Sequence, residues 1–232
     1  MQFSFIPPSD QRSPSRASPG HDRSVAAKHA ACADDVSTRT AYQIDDGLTV
    51  TPLVLDGVML IVPRRWRDPR GHFVETYSRK SFRRIGVERD FAQDNQSFST
   101  RRGTIRGLHF QAPPLPQAKL VRVIRGAIFD VAIDLRRGSS SFGRWCSATL
   151  TAEGGEQLFI PQGYAHGFCT IEPATEVAYK VDALYSRECE GGVAWDDPDI
   201  GIAWPVSQGD ALLSERDRDL PRLRDLASPF ST

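Results

Sequence analysis

The sequence has no surplus of charge of either sign: 29 basic residues are matched by 29 acidic ones in 232, for a formal net charge of +0. No global field therefore draws the chain onto nucleic acid or an anionic membrane, and an anionic ligand must be met by a local cluster. No run approaches the roughly 18 apolar residues that a membrane span requires, and no long apolar stretch follows a basic start, which points away from secretion. Only 4 cysteines are present. Cys32, Cys146, Cys169 and Cys189 form no C-x-x-C pair, so a reducing, cytoplasmic setting is the expectation. A Gly-rich phosphate loop and a G-x-S-x-G elbow are missing too. With them go the usual signatures of nucleotide hydrolysis, dinucleotide redox chemistry and α/β-hydrolase chemistry.

What is present is a hydrophobic content of 40%, enough for a sizeable core. Residues 1–46 are rich in Ser, Pro, Arg and Ala with almost no apolar periodicity, and read as a disordered extension. A transit peptide has a similar composition, but Asp10, Asp22, Asp34 and Asp35 count against it; a start codon assigned too far upstream would leave the same trace. Residues 47–232 change texture to short apolar stretches punctuated by Gly, Pro and Asp, and read as one domain. Strands are expected at Val58–Val62, Phe73–Tyr77, Leu120–Ile124, Ala127–Leu135, Trp145–Leu150, Gln157–Ile160, Gly167–Ile171 and Glu176–Val181. Alternation within Lys119–Leu135, broken by Arg125-Gly126, predicts a hairpin. Helix is expected only at Arg79–Ile85 and in a turn after Ser214 that Ser214 caps and Asp217 occupies. The fold class is all-β, a barrel or jelly roll with a few short helices.

Of the 5 histidines, His21 and His29 lie in the extension, leaving His72, His109 and His166. Each of these has a plain alternative as a hydrogen-bonded structural residue. Two functional readings compete. Three histidines and an acid could hold a metal, but no H-x-H or H-x-x-x-H spacing joins them. The other reading is a metal-free acid/base site in which Arg70, Arg106, Lys119 and His166 meet phosphates while His109 abstracts a proton. The bland alternative for Arg70 and Arg106 is a solvated loop position paired with an acid such as Asp68. Tyr179 and Tyr185, six residues apart, would share a strand face, which suits core packing and a common cavity alike.

Several blocks then add up. Asp68-Pro69-Arg70-Gly71-His72-Phe73-Val74-Glu75, Gln93-Asp94-Asn95, Arg106-Gly107-Leu108-His109-Phe110, Gln117-Ala118-Lys119, Phe142-Gly143-Arg144-Trp145, Gly163–Phe168, Tyr179, Tyr185 and Leu213-Ser214-Glu215-Arg216-Asp217 follow one another in that order. In this order they resemble the signatures of the dTDP-4-dehydrorhamnose 3,5-epimerases, over roughly Leu53 to Leu226. The resemblance implies a double-stranded β-helix, a cupin-type jelly roll, working as a homodimer without metal or other cofactor. It further implies inversion of C3 and C5 in dTDP-4-dehydro-6-deoxy-D-glucose, giving dTDP-4-dehydro-L-rhamnose for cell-surface polysaccharide.

By position, the resemblance makes His109 the base, Asp217 the carboxylate that orients it, Lys119 the cation on the ketone oxygen and Tyr179 the proton donor on the opposite face. It assigns Arg70, Phe73, Glu75, Gln93, Asn95, Arg106, Lys119, His166, Glu190 and Arg216 to substrate binding and Tyr185 to stacking on the base. Arg70 and Glu75 would come from a strand exchanged with the partner subunit, so that the dimer completes the site. Within the family, the nearest alternative is an epimerase acting on one carbon only, against which the presence of Tyr179 weighs. Outside it stand a metal-dependent cupin using His72, His109 and His166, and a sugar-nucleotide binding module without catalysis.

Overall fold

The computed structural model describes residues 40–44 and 47–232. The predicted disordered extension, with His21, His29 and Cys32, falls almost wholly outside the described residues. Part of it does not: Tyr42–Ile44, on the N-terminal side of the boundary drawn at residue 46, is a strand paired with Leu48–Val50.

The chain is built from short strands. In order they are β1 (Tyr42–Ile44), β2 (Leu48–Pro52), β3 (Met59–Pro63), β4 (Arg65–Asp68), β5 (Gly71–Val74), β6 (Gln93–Ser99), β7 (Ile105–Gln111) and β8 (Lys119–Arg125). Then come β9 (Ala127–Asp134), β10 (Arg136–Arg137), β11 (Trp145–Thr151), β12 (Gln157–Ile160), β13 (Tyr164–Thr170), β14 (Thr175–Val181), β15 (Glu190–Gly192) and β16 (Phe230–Ser231). Two helices are short: α1 (Arg79–Arg84), and α2 (Glu215–Arg218), where the Ser214 hydroxyl accepts from the Asp217 amide as the capping pattern predicts.

Two sheets form the jelly roll. The seven-stranded sheet runs β1-β2-β3-β12-β8-β14-β6 and the five-stranded sheet β11-β9-β13-β7-β15. Between them Val121, Val123, Leu158 and Val177 pack against Ile128, Ala132, Leu150 and Phe168. The outer face of the larger sheet is partly covered by Phe82 and Ile85 around α1. The outer face of the smaller one packs Leu108, Val131, Ile133 and Ala165 against Val193 and Phe230. Because strand side chains alternate between faces, this packing fixes which residues point inward.

The hairpin predicted at Arg125-Gly126 is not formed. β8 pairs with β12 and β14, whereas β9 pairs with β11 and β13, so the chain changes sheets at Gly126. Alternation shows that a strand has a buried face but not which strand lies beside it, and β9 is buried on both faces. Gly126 suits this crossing: its φ is +80°, and a Cβ there would lie 3.1 Å from the Cα of Thr175. Other boundaries also move. β5 stops at Val74, leaving Glu75–Tyr77 outside, and β13 begins at Tyr164 and not at the expected Gly167, so His166 sits inside the strand. Tyr185 lies in the loop after β14, so the shared strand face expected for Tyr179 and Tyr185 does not exist.

Candidate active site

The inward parity of the two sheets gathers the polar residues. On β8, Val121 and Val123 point into the core, so Lys119 does as well; on β14, Val177 carries Tyr179 with it. On β9 and β13, Ile128, Ala132 and Phe168 set the inward parity for Asp130 and His166. On β7, Leu108 and Phe110 face outward, which turns His109 in, directly opposite His166 in the β7–β13 register. Towards one end of the sandwich the apolar filling thus gives way to a cavity of about 550 Å³. Its walls include Arg106, His109, Lys119, His166, Tyr179, Glu190, Arg216 and Asp217. A second cavity of about 290 Å³ shares His109, Lys119, Tyr179 and Glu190 with it and adds Gln93, Asn95 and Tyr185.

The contacts assign states to these groups. His109 Nε2 lies 2.6 Å from Asp217 Oδ1. Burial by itself would raise the Asp217 carboxyl, but the hydrogen bonds from His109 and Ser214 hold it below the usual carboxylate range. An ionised carboxylate can only accept, so Nε2 carries the hydrogen, and in the neutral ring Nδ1 is then the nitrogen with the lone pair that a base needs. Lys119 Nζ is 3.2 Å from the His109 carbonyl. Burial pulls its pKa down to about 8, against the opposing pull of Asp130 and Glu190, so it remains a cation at neutral pH. Tyr179 is pushed up by burial and keeps its phenolic proton.

The remaining cations are held in place. Arg106 donates from Nε to Ser99 Oγ at 3.2 Å and from its terminal nitrogen to the Phe98 carbonyl at 2.9 Å, bridging the two sheets. No carboxylate neutralises Arg106 among the described contacts, so the bland reading fails for it. Arg216 pairs with Glu190 Oε2 at 2.7 Å, and the Tyr185 hydroxyl donates to the same oxygen at 2.6 Å.

Three expected binding residues are elsewhere. Arg70, Phe73 and Glu75 belong to the β4–β5 hairpin or its exit and line neither cavity. The Arg70 side chain is 90% exposed and bonded to Asp68, and Phe73 is 69% exposed. Within one chain, the bland reading of Arg70 holds. His72 is exposed on the same hairpin while His109 and His166 face each other. The three histidines weighed as metal ligands are not gathered, and among the described residues no three His, Cys, Asp or Glu side chains are placed to share an ion.

One residue escaped the sequence reading. Asp130, fully buried, accepts from His166 Nε2 at 2.7 Å, while its Oδ2 has no hydrogen-bond partner among the described residues. Burial lowers the His166 pKa despite this carboxylate, with Lys119 and His109 adding to the effect. His166 is therefore a neutral donor. An acid inside the apolar run Ala127–Leu135 was the available signal, since such a charge must find a partner.

Residues 52–225 match the family described as dTDP-4-dehydrorhamnose 3,5-epimerase. The Sinorhizobium fredii enzyme of that name is 47% identical over 185 residues, covering 80% of this chain and 94% of the relative. The Bacillus anthracis dTDP-4-dehydrorhamnose 3,5-epimerase, solved with TDP and PPi bound, superposes with a TM-score of 0.73 at 45% identity, covering 75% of this chain and 99% of that one. A Legionella pneumophila dTDP-6-deoxy-D-glucose-3,5-epimerase in complex with dTDP-4-keto-L-rhamnose gives a TM-score of 0.73 at 36% identity, over 76% and 93%. With a jelly roll that superposes on these structures and a match across three-quarters of its length, the chain belongs to the dTDP-4-dehydrorhamnose 3,5-epimerase family.

Proposed function

We propose that this chain inverts C3 and C5 of dTDP-4-dehydro-6-deoxy-D-glucose, giving dTDP-4-dehydro-L-rhamnose, by proton transfer alone. The observation that carries the reading is the 2.6 Å His109–Asp217 contact in the wall of the cavity that Lys119 and Tyr179 also line. A C4 ketone acidifies the hydrogens on its two neighbours. Nδ1 of His109 takes one such proton, the C–H pair moves into the enolate, and the negative charge builds on the C4 oxygen beside Lys119. The Tyr179 phenol returns a proton from the opposite face, which inverts the carbon, and solvent resets both side chains. Repetition at the other carbon completes the reaction.

Arg106, Arg216, Gln93 and Asn95 are assigned to the diphosphate and nucleoside, with Tyr185 stacking on the base; neutral His166, whose N–H is taken by Asp130, is left to accept from a sugar hydroxyl and not to meet a phosphate as a cation. Incubation of the protein with the keto-sugar in deuterated water, read by NMR, should place deuterium at C3 and C5. Label at a single carbon would make it a one-carbon epimerase, and none at either would overturn the assignment.

The β4–β5 hairpin is assigned to the partner's site in a homodimer. The exposure of Arg70 and Phe73 and their absence from the walls of either cavity support this. Subunit mixing tests it: Arg70→Ala and His109→Ala proteins, each weak alone, form hybrid dimers with one intact site. Activity should recover to about one quarter of wild type after statistical exchange; no recovery would place Arg70 in its own subunit's site or in none. Among the described residues no helix is long and apolar enough to cross a membrane. With Cys146, Cys169 and Cys189 in no disulfide, a cytoplasmic role supplying activated deoxysugar for surface polysaccharide fits the chemistry, with no call on nucleic acid or membrane.

A further inference from the structure

Between β14 and β15 the chain makes the loop that carries Tyr185, and four consecutive residues of that loop have a backbone group captured by a glutamine side chain. The Gln117 amide donates to the Ala183 carbonyl at 2.8 Å, and Gln111 donates to the Leu184 carbonyl at 3.0 Å. The Tyr185 amide donates to Gln93 Oε1 at 3.0 Å, and the Ser186 amide donates to Gln111 Oε1 at 2.8 Å. Gln111 is central to the set. It is 3% exposed, and its second amide hydrogen goes to the Leu115 carbonyl at 2.5 Å, so that both donors and the acceptor are used. It lies two residues beyond His109 on β7, hence on the same face of that strand.

We infer that Gln111 is a positioning residue for nucleotide recognition: it fastens the Tyr185 loop to the strand that bears His109, presetting the stacking ring before substrate arrives. This rests on the reading of Tyr185 as the residue that stacks on the nucleobase. A loop already ordered in the free protein loses little conformational entropy on binding, and that saving appears as affinity. The chemical step uses none of the Gln111 contacts. Loss of the anchor therefore falls on binding, not on turnover at saturation.

Gln111→Met keeps the length of the side chain and removes all three hydrogen bonds. It should raise KM for the keto-sugar nucleotide and Kd for dTDP alone by roughly 10- to 100-fold, with kcat within about threefold of wild type. Amide exchange at Ser186, followed by NMR or mass spectrometry, should accelerate in the free protein. Unchanged dTDP affinity in a folded Gln111→Met protein would overturn the inference, as would a kcat loss matching the KM rise. Should that variant fail to fold, Gln117→Met, which releases Ala183 alone, decides: a smaller rise in dTDP Kd supports the anchor, and none refutes it. Calorimetric dTDP binding needs no turnover, so it reports on Gln111 even where wild-type protein proves inactive on the keto-sugar, an outcome that would count against the epimerase reading alone.

Discussion

His109→Ala should abolish deuterium incorporation at both C3 and C5 while the fold persists. General base catalysis contributes about 10²- to 10⁴-fold, and His109 is a wall residue of the cavity rather than a core filler, with 28% of its side chain exposed. The fold should persist with a loss of about 1–3 kcal/mol, because the buried Asp217 carboxylate loses the hydrogen bond from His109, and dTDP should still bind, because the assigned nucleotide contacts lie on other residues. The same base serves both carbons only if the sugar presents them to it in turn. Full exchange at either carbon in the alanine variant would mean that another group, with His166 the nearest candidate across the β7–β13 register, removes that proton.

Lys119→Met should be nearly as damaging, by roughly 10²- to 10³-fold in kcat, the effect expected when a group facing a developing oxyanion is lost. Its consequence for stability runs the other way. The folded pKa is about 8 against 10.5 for an unperturbed lysine, because burial disfavours the ammonium. A depressed lysine contributes its full share to stability above about 10.5, and that share is lost as pH falls through about 8; at neutral pH the buried charge costs on the order of 3 kcal/mol. The methionine variant should thus unfold at a higher temperature at pH 7 than the wild type, less about 1 kcal/mol for the lost bond to the His109 carbonyl, and the difference should shrink as pH is raised towards 10. In the wild type, kcat/KM should decline above about pH 8 as free Lys119 loses its proton. A lower melting temperature for the methionine protein at pH 7 would show that Lys119 is held by more than it strains.

The features legible in the sequence are those set by neighbours along the chain. Ser214 caps the turn that holds Asp217 because a hydroxyl three residues before an amide needs no distant partner, and the apolar runs of β8, β9, β11 and β14 declare buried faces. Pairing was not legible, since β8 and β9 adjoin in sequence yet belong to different sheets. β6 and β7 were not read as strands at all. Gln93-Asp94-Asn95-Gln96 presents polar groups on both faces, and β7 is interrupted by Gly107 and carries Arg106 and His109; polar residues that face a cavity erase the pattern that marks a strand. Asp130 was missed for the opposite reason, because the apolar run around it drew attention to packing.

His109, the proposed proton acceptor, stands on the five-stranded sheet, and Lys119, proposed to meet the ketone oxygen, stands on the seven-stranded one. Their separation is therefore not fixed by any turn or hydrogen-bond register within a sheet. It is set by the bond that Lys119 donates to the His109 carbonyl across the gap and by the thickness of the apolar layer between the sheets, the girth of Val121, Val123, Ile128, Leu158 and Phe168. These side chains act as spacers for the chemistry. A methylene added or deleted deep in the interior would retune the gap between His109 and Lys119, with both of those side chains left as they are.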